Sequence, residues 1–335
     1  MATKKLGKQT VMFQNPPIIL SSAAIAGPKE GAGPLGLFFD QLLEDNLFEE
    51  ETWEKAERKM LFESMILSMN KLDLVPEDID FMLAGDLLNQ IISANYTARQ
   101  TGIPFIGLYG ACSTMAESLA LGSILIDGGF AAKVVCGASS HYDTAERQFR
   151  FPTELGVQRP PTAQWTVTGA GASVLGESGQ GPRITHATFG KVLDLGITDA
   201  NDMGAAMAPA VADTIVTHFQ DTARDQTYYD LIITGDMGNV GKGLVQQLVA
   251  QEGYNIGDKY TDCGVLVFDP AQDTHAGGSG CGCSAIVFNS YLLHEILGGK
   301  FKKVLFIGSG ALLSPTALLQ GESIPGIGHA VVVEG

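Results

Sequence analysis

The sequence predicts an α/β protein built from two similar halves, and three observations carry that expectation. Asp80 to Asp86 (DFMLAGD) returns as Asp230 to Asp236 (DLIITGD), and Gly128-Gly129 with Lys133-Val134 returns, in the same order, as Gly298-Gly299 with Lys303-Val304. Short apolar runs of strand length alternate with longer segments whose apolar residues recur at helical spacing. Gly110 to Thr114 (GACST) stands between an apolar strand and a buried helix, ahead of the second repeated block. So long a period does not suit a solenoid unit and suits one duplicated α/β half. The halves are placed at residues 1–182 and 183–335, with the seam in Gly179 to Pro182 (GQGP).

Taken in order, residues 53–72 carry apolar side chains on one helical face with Glu and Lys on the other, and Pro76 follows. Residues 79–85 read as a buried strand ending in Gly85-Asp86, and 95–100 as a helix closed by Gly102. Residues 103–110 form a second strand, 115–129 a buried helix with a Gly stop, and 133–140 a third strand. The second half repeats these events: helix 209–220, strand 230–236, helix 242–253, strand 263–269, helix 283–299, strand 303–310 and a closing strand 327–335. Such alternation predicts parallel pairing with both sheet faces covered. Residues 141–168, with several Arg, three Pro and aromatics, break the rhythm and read as an irregular insertion, a pocket cap or dimer arm.

Composition narrows the function. With 45% apolar residues over 335 positions, a large core and an apolar subunit interface are expected. A net charge of −16 without a Lys/Arg stripe argues against nucleic acid and against unaided adsorption to an anionic membrane. A small anion remains admissible, because a pocket is governed by its local donors. No continuous apolar run follows Lys4, Lys5 and Lys8, so no signal peptide is expected, and no run approaches a membrane span. Five cysteines, at 112, 136, 263, 281 and 283, read as free thiols, and Cys281-Gly282-Cys283 lacks zinc-site spacing. The Gly-rich turn GGSGCGC matches no phosphate loop; its glycines are expected to allow close approach to Cys112 from the other half.

The chemistry centres on Cys112. At the start of a helix, unpaired amides and the helix dipole favour a thiolate, so Cys112 is the candidate nucleophile or an anion-facing donor. The strand, the GACS turn, the duplicated half and the terminal hairpin resemble the thiolase superfamily, which includes the ketoacyl synthases. Within it, the stretches GPLG (33–36), AGDLLNQ (84–90), ANYTAR (94–99), GACSTMAES (110–118), TAERQFRFPTE (144–154), DLGITDANDMGAAMAPA (194–210) and AGGSGCGCSA (276–285) closely resemble the stage V sporulation protein AD family.

That resemblance implies a thiolase-like fold, a five-layered α/β/α/β/α body of two pseudo-symmetric halves, as a homodimer. It implies sporulation, and binding of dipicolinate (pyridine-2,6-dicarboxylate), free or as its calcium chelate, for uptake into the developing spore. The partners implied are the other membrane proteins of the stage V sporulation A operon, which would hold a chain made in the cytosol at the spore inner membrane. No resident cofactor is expected; calcium would arrive with the ligand.

Condensing enzymes of the Cys-His-Asn kind carry a His after the strand matching DLIITGD and an Asn in the turn matching GGSGCGC. Here those places hold Gly235-Asp236 and Ser279, so carbon–carbon bond formation is not expected. His141, His275 and His329 are the substitutes considered, with His329 nearest to where thiolases carry a second catalytic Cys. For a bound dicarboxylate the candidates are Cys112, Ser113, Ser279 and the turn amides. Arg147, with Arg150 second, is the bidentate partner. Asp86 and Asp236 are expected to face each other across the pseudo-twofold axis and offer oxygens to calcium. Asn89, His141, Cys281 and His329 complete the candidate set. Two alternatives stay open: an acyl-transferring condensing enzyme that uses another base, and a membrane-complex scaffold with a vestigial pocket.

Overall fold

The computed structural model describes residues 3–149 and 159–335. In the first half the elements are β1 (Ile18–Ala26), α1 (Trp53–Asn70), β2 (Phe81–Gly85), α2 (Ile92–Thr101), β3 (Phe105–Gly107), α3 (Thr114–Asp127), β4 (Lys133–Ser140), α4 (Tyr142–Phe149) and β5 (Gly169–Gly176). The second half holds β6 (Arg183–Phe189), α5 (Met203–Thr222), β7 (Leu231–Thr234), α6 (Gly238–Gln251), β8 (Tyr260–Asp262), α7 (Cys281–Val287), β9 (Lys303–Ala311) and β10 (Gly326–Glu334). The strand order β3-β2-β4-β5-β1 is repeated as β8-β7-β9-β10-β6, and the two runs join where Arg183 pairs with Ile18.

In each run three neighbouring strands pair in parallel, as the alternation predicts. One strand in each run corrects that expectation, because β5 and β10 run antiparallel to both neighbours, and β1 and β6 beyond them take up the direction of the other three. In each half the chain re-enters the sheet from the end at which it left, which produces a reversed strand. A second correction falls on residues 263–269. The strand is Tyr260–Asp262, and Cys263 begins a helical turn because the Asp262 carboxylate accepts from the Val265 amide and caps it.

Helix α1 starts at Thr52, whose hydroxyl accepts from the Lys55 amide, and buries Met60, Leu61 and Met65. With α2 it covers one face of the first sheet, and α5 covers the outer face of the second. Between the sheets lie α3, which packs on strands of both halves, and α7, all of whose residues are buried. The result is five layers, helix, sheet, helix, sheet, helix. Close contact at the centre relies on glycine. A Cβ on Gly310 would stand 2.3 Å from the Gly110 carbonyl, and one on Gly308 would stand 2.8 Å from that of Ser113. Strand β9 therefore approaches the Cys112 turn closely, and so does the GGSGCGC turn as the sequence predicts, its Gly280 amide reaching Cys112. Gly282 of the GGSGCGC turn is fitted against Ser140 and Gly169.

Of the insertion 141–168, the described part holds helix α4 and a short strand, Trp165–Thr166, paired with Gly278–Ser279. The stacked rings of Tyr142 and Trp165, 3.8 Å apart, tie the two together. No described helix is long and apolar enough to cross a membrane.

Candidate functional site

Strand β3 delivers the chain to Gly110, and Ala111 takes a left-handed backbone angle (φ 50°) that turns it sharply into the helix. An alanine there is strained, and the strain is held by the Ser113 hydroxyl, which donates to the Gly110 carbonyl at 2.7 Å. The turn sets Cys112 at the floor of a narrow, mostly apolar cleft enclosing ≈ 530 Å³, open mouth included. Leu87 and Tyr109 come from the first half, Ala145, Glu146 and Phe149 from α4, and Ala200, Met203, Ala311 and Leu313 from the second. Thr166 and Ser279 supply hydroxyls.

Asp236 lies behind the floor, fully buried. Its carboxylate accepts from the Ser309 hydroxyl (2.7 Å), the Gly280 amide (2.8 Å) and the Ser279 hydroxyl (3.3 Å). The Cys112 thiol donates to the same group. Burial raises Asp236 to about 6, so it is ionised at neutral pH. Burial pushes the Cys112 thiol well above its ordinary value, and the Asp236 charge pushes it further. This corrects the expectation of a helix-stabilised thiolate. Desolvation and a carboxylate in contact outweigh the turn amides, and the sulfur keeps its proton.

Several candidates sit elsewhere. Ser113 is sealed and bonded to its own turn, and Cys281 is buried with its thiol donating to the Ser139 carbonyl at 2.9 Å. His141 is fixed by the Asn46 carbonyl (2.8 Å) and by the Asp143 amide, which donates to Nδ1 (3.2 Å). His329 accepts from the Gly190 amide (3.2 Å), lies edge-on to Phe189 and does not line the cleft; burial lowers it to about 4. His275 pairs with Asp273. Arg147 points outward, half exposed, and pairs with Glu54. Arg150 lies outside the described residues. The Asn89 amide donates to Gln148 beside a neighbouring outer groove of ≈ 760 Å³.

Asp86 and Asp236 form no calcium cradle. Asp86 accepts from the Leu88 (2.9 Å) and Ala94 (2.8 Å) amides and adjoins Glu57, whereas Asp236 adjoins Asp262. Among the described residues no group of three or more His, Cys, Asp and Glu is arranged to hold a metal. Sequence reasoning passed over Asp262, Ser309 and Gln164, which position the Asp236 turn; Gln164 donates to the Asp236 and Gly278 carbonyls at 2.7 Å each. It also passed over Glu146 and Phe149, whose spacing with Ala145 on one helical face was the available signal.

The described fold is that of condensing enzymes. A cysteine-to-serine variant of Xanthomonas campestris OleA, solved with bound lauric acid and lauroyl-CoA, is 12% identical with a TM-score of 0.62, covering 97% of this chain and 100% of that one. The 3-oxoacyl-[acyl-carrier-protein] synthase III of Aquifex aeolicus VF5 is 14% identical with a TM-score of 0.57, covering 95% and 100%. At these identities the likeness establishes the fold alone. The stage V sporulation protein AD of Bacillus subtilis (strain 168) is 49% identical over 331 residues, 99% of this chain and 98% of that protein. The sequence model of the stage V sporulation protein AD family matches residues 7–334. The chain therefore belongs to the stage V sporulation protein AD family, a family of sporulation proteins.

Proposed function

We propose that the chain binds dipicolinate in the Cys112 cleft, free or as its calcium chelate, and serves its uptake into the developing spore without condensing it. The chain would act as a homodimer held at the spore inner membrane by the other proteins of the stage V sporulation A operon. The observation that carries this reading is the buried Asp236 carboxyl, held by Ser309, Gly280 and Ser279 and in contact with Cys112. A condensing site stabilises a developing oxyanion with donors, and a buried carboxylate opposes that charge while leaving the thiol protonated. Recognition in place of reaction is the use we assign to this narrow, mostly apolar cleft. The apolar walls, with Tyr109 and Phe149, suit a flat aromatic ring. The Thr166 hydroxyl is the donor we assign to a ligand carboxylate, the Ser279 hydroxyl being engaged with Asp236.

Calorimetry with dipicolinate, with and without calcium, tests the reading. Saturable binding by the intact chain, weakened at least about tenfold (1.4 kcal/mol) by Cys112→Phe, is expected. Heats no larger than those of dilution for the intact chain reject the ligand. The sulfur at the floor of the cleft favours one other reading, an acyl-transferring enzyme. A mass increase on Cys112 after incubation with acyl-CoA thioesters would establish it, and an unmodified thiol is expected.

A further inference from the structure

The Cys112 cleft continues beyond its mouth. Tyr109, Phe149 and Leu313, which line it, also line the outer groove of ≈ 760 Å³, whose remaining walls are the turn Leu88 to Ile91 on one side and Leu312 to Pro315 on the other. We propose that this groove is the way in to Cys112, a vestibule for small planar anions, and that Gln148 is the positioning residue that holds its gate. Only the identity of the ligand rests on the binding reading above; the passage stands without it.

Both polar atoms of the Gln148 side chain serve the turn. The side-chain amide donates to the Leu87 carbonyl (3.1 Å) and accepts from the Asn89 amide (2.9 Å), as a neighbouring strand would. Within the turn Gln90 and Ile91 are held at left-handed backbone angles (φ 56° and 47°), which is costly for a β-branched isoleucine. From below, the Asp86 carboxyl accepts from the Leu88 and Ala94 amides, one on each side of the strained pair. Gln148 is the tie from the cleft side, and a strained turn relaxes when a tie is cut. The facing wall is regular backbone that continues β9, with the Leu312 amide donating to the Pro325 carbonyl (2.8 Å). Helix α4 is itself anchored, by Thr144 donating to Glu57 (2.9 Å) and by the stacked rings of Tyr142 and Trp165. The turn is therefore the part of the passage that moves.

The lining decides what passes. None of the residues that line the groove is charged; its polar side chains are those of Asn89, Gln90, Tyr109, Gln148 and Ser314. In a chain of net charge −16, such a groove is a path along which an anion touches no carboxylate. Tyr109, Phe149 and Leu313 form the threshold between groove and cleft, and this apolar, partly aromatic threshold suits a flat ring. The cavity of ≈ 860 Å³ between α5 and α6 offers neither property, because Lys8, Lys191, Asp213 and Glu252 line it and it shares no residue with the cleft.

The test reads how fast Cys112 is reached. Alkylation of the intact chain is followed by mass spectrometry with iodoacetamide and with the bulky N-(1-pyrenyl)maleimide, each variant being compared with wild type for the same reagent so that intrinsic reactivity cancels. Gln148→Ala is expected to quicken the pyrenyl reagent about tenfold or more, the effect of freeing a gate held by two hydrogen bonds, and iodoacetamide less than about threefold. Gln148→Met, of similar length and without the bonds, is expected to do the same and serves if the alanine variant does not fold. Asn89→Trp keeps the backbone amide that bonds Gln148 and fills the groove with a ring, so it is expected to slow both reagents about tenfold or more. Rates equal to wild type in the Gln148 variants, or in Asn89→Trp, overturn the proposal. In stopped flow, dipicolinate association and dissociation are expected to quicken by the same factor in Gln148→Ala, leaving affinity within about twofold, because a gate acts on rates. Absence of dipicolinate binding alongside the expected alkylation rates rejects the ligand and leaves the passage in place.

Discussion

Each half ends its second strand in glycine and aspartate, yet Asp86 and Asp236 spend their oxygens differently. Asp86 caps its own turn through Leu88 and Ala94. In the second half the equivalent turn amides, Met237 and Gly238, donate to Asp262 at the end of the neighbouring strand (2.8 and 2.9 Å). Asp236 is thereby released from capping and turns across the interface to Ser309, Gly280 and Cys112. The central helices show the same inequality. Cys112 opens to a cleft and faces a carboxylate, while its counterpart Cys281 is sealed against the Ser139 carbonyl. A duplicated scaffold became asymmetric because one acceptor, Asp262, took over the work of another.

The largest expected effect comes from removing that acceptor. Asp262→Ala leaves the Met237, Gly238 and Val265 amides and the Thr234 hydroxyl without their buried partner. At ~1–3 kcal/mol for each unsatisfied group, the loss is expected to reach at least about 4 kcal/mol in chemical denaturation. A loss below about 1 kcal/mol would mean that Asp236 can cap its own turn, and the contrast with Asp86 would disappear.

Asp236→Asn sharpens the comparison through pH. The folded value of Asp236, about 6, lies above its ordinary 3.8, so its contribution to stability is complete below about pH 4 and is lost as pH rises through 6. The stability of the wild type is expected to decline across that window by on the order of 3 kcal/mol from this group, and the variant to lack the decline. The same substitution removes the charge beside Cys112, so alkylation at neutral pH should quicken about tenfold or more, read by mass spectrometry, with Cys281 unmodified. Parallel pH–stability curves for the two proteins would show that folding leaves Asp236 at its ordinary value, so that burial does not oppose its charge.

How much of this could be read from the sequence depended on whether a feature was local. The repeated DFMLAGD and DLIITGD blocks and the GACST turn gave the duplicated architecture and the floor of the cleft, since strand, glycine and helix follow one another there. Strands β1 and β5 escaped notice because neither shows the alternation that marks a strand: GAGASVLG is buried throughout and mostly of small residues, and IILSSAAIA groups its apolar residues at both ends around two serines. The insertion concealed α4, whose short amphipathic face is flanked by residues that do not continue it. Most of the site was illegible for a different reason. The orientation of Asp236 is decided by Asp262, and the thiol's protonation by burial and a contact between halves, none of which has a signature in neighbouring residues.

Arg147 supplies the smallest effect and the sharpest limit on the cleft. Its charge and position in TAERQF recommended it as a carboxylate partner, but α4 turns Ala145, Glu146 and Phe149 inward and leaves Arg147 on the outer face, paired with Glu54 and above the Trp53 ring at 5.6 Å. Both partners of the pair are substantially exposed, so solvent screens the attraction. Arg147→Ala is expected to lower stability by only ~0.2–1 kcal/mol and to leave dipicolinate affinity within about twofold of wild type. A fall of about tenfold or more would mean that the helix rotates on binding and brings the guanidinium to the ligand. The wall made by α4, tied to Glu57 through Thr144 and to the Leu87 carbonyl through Gln148, would then be a moving one.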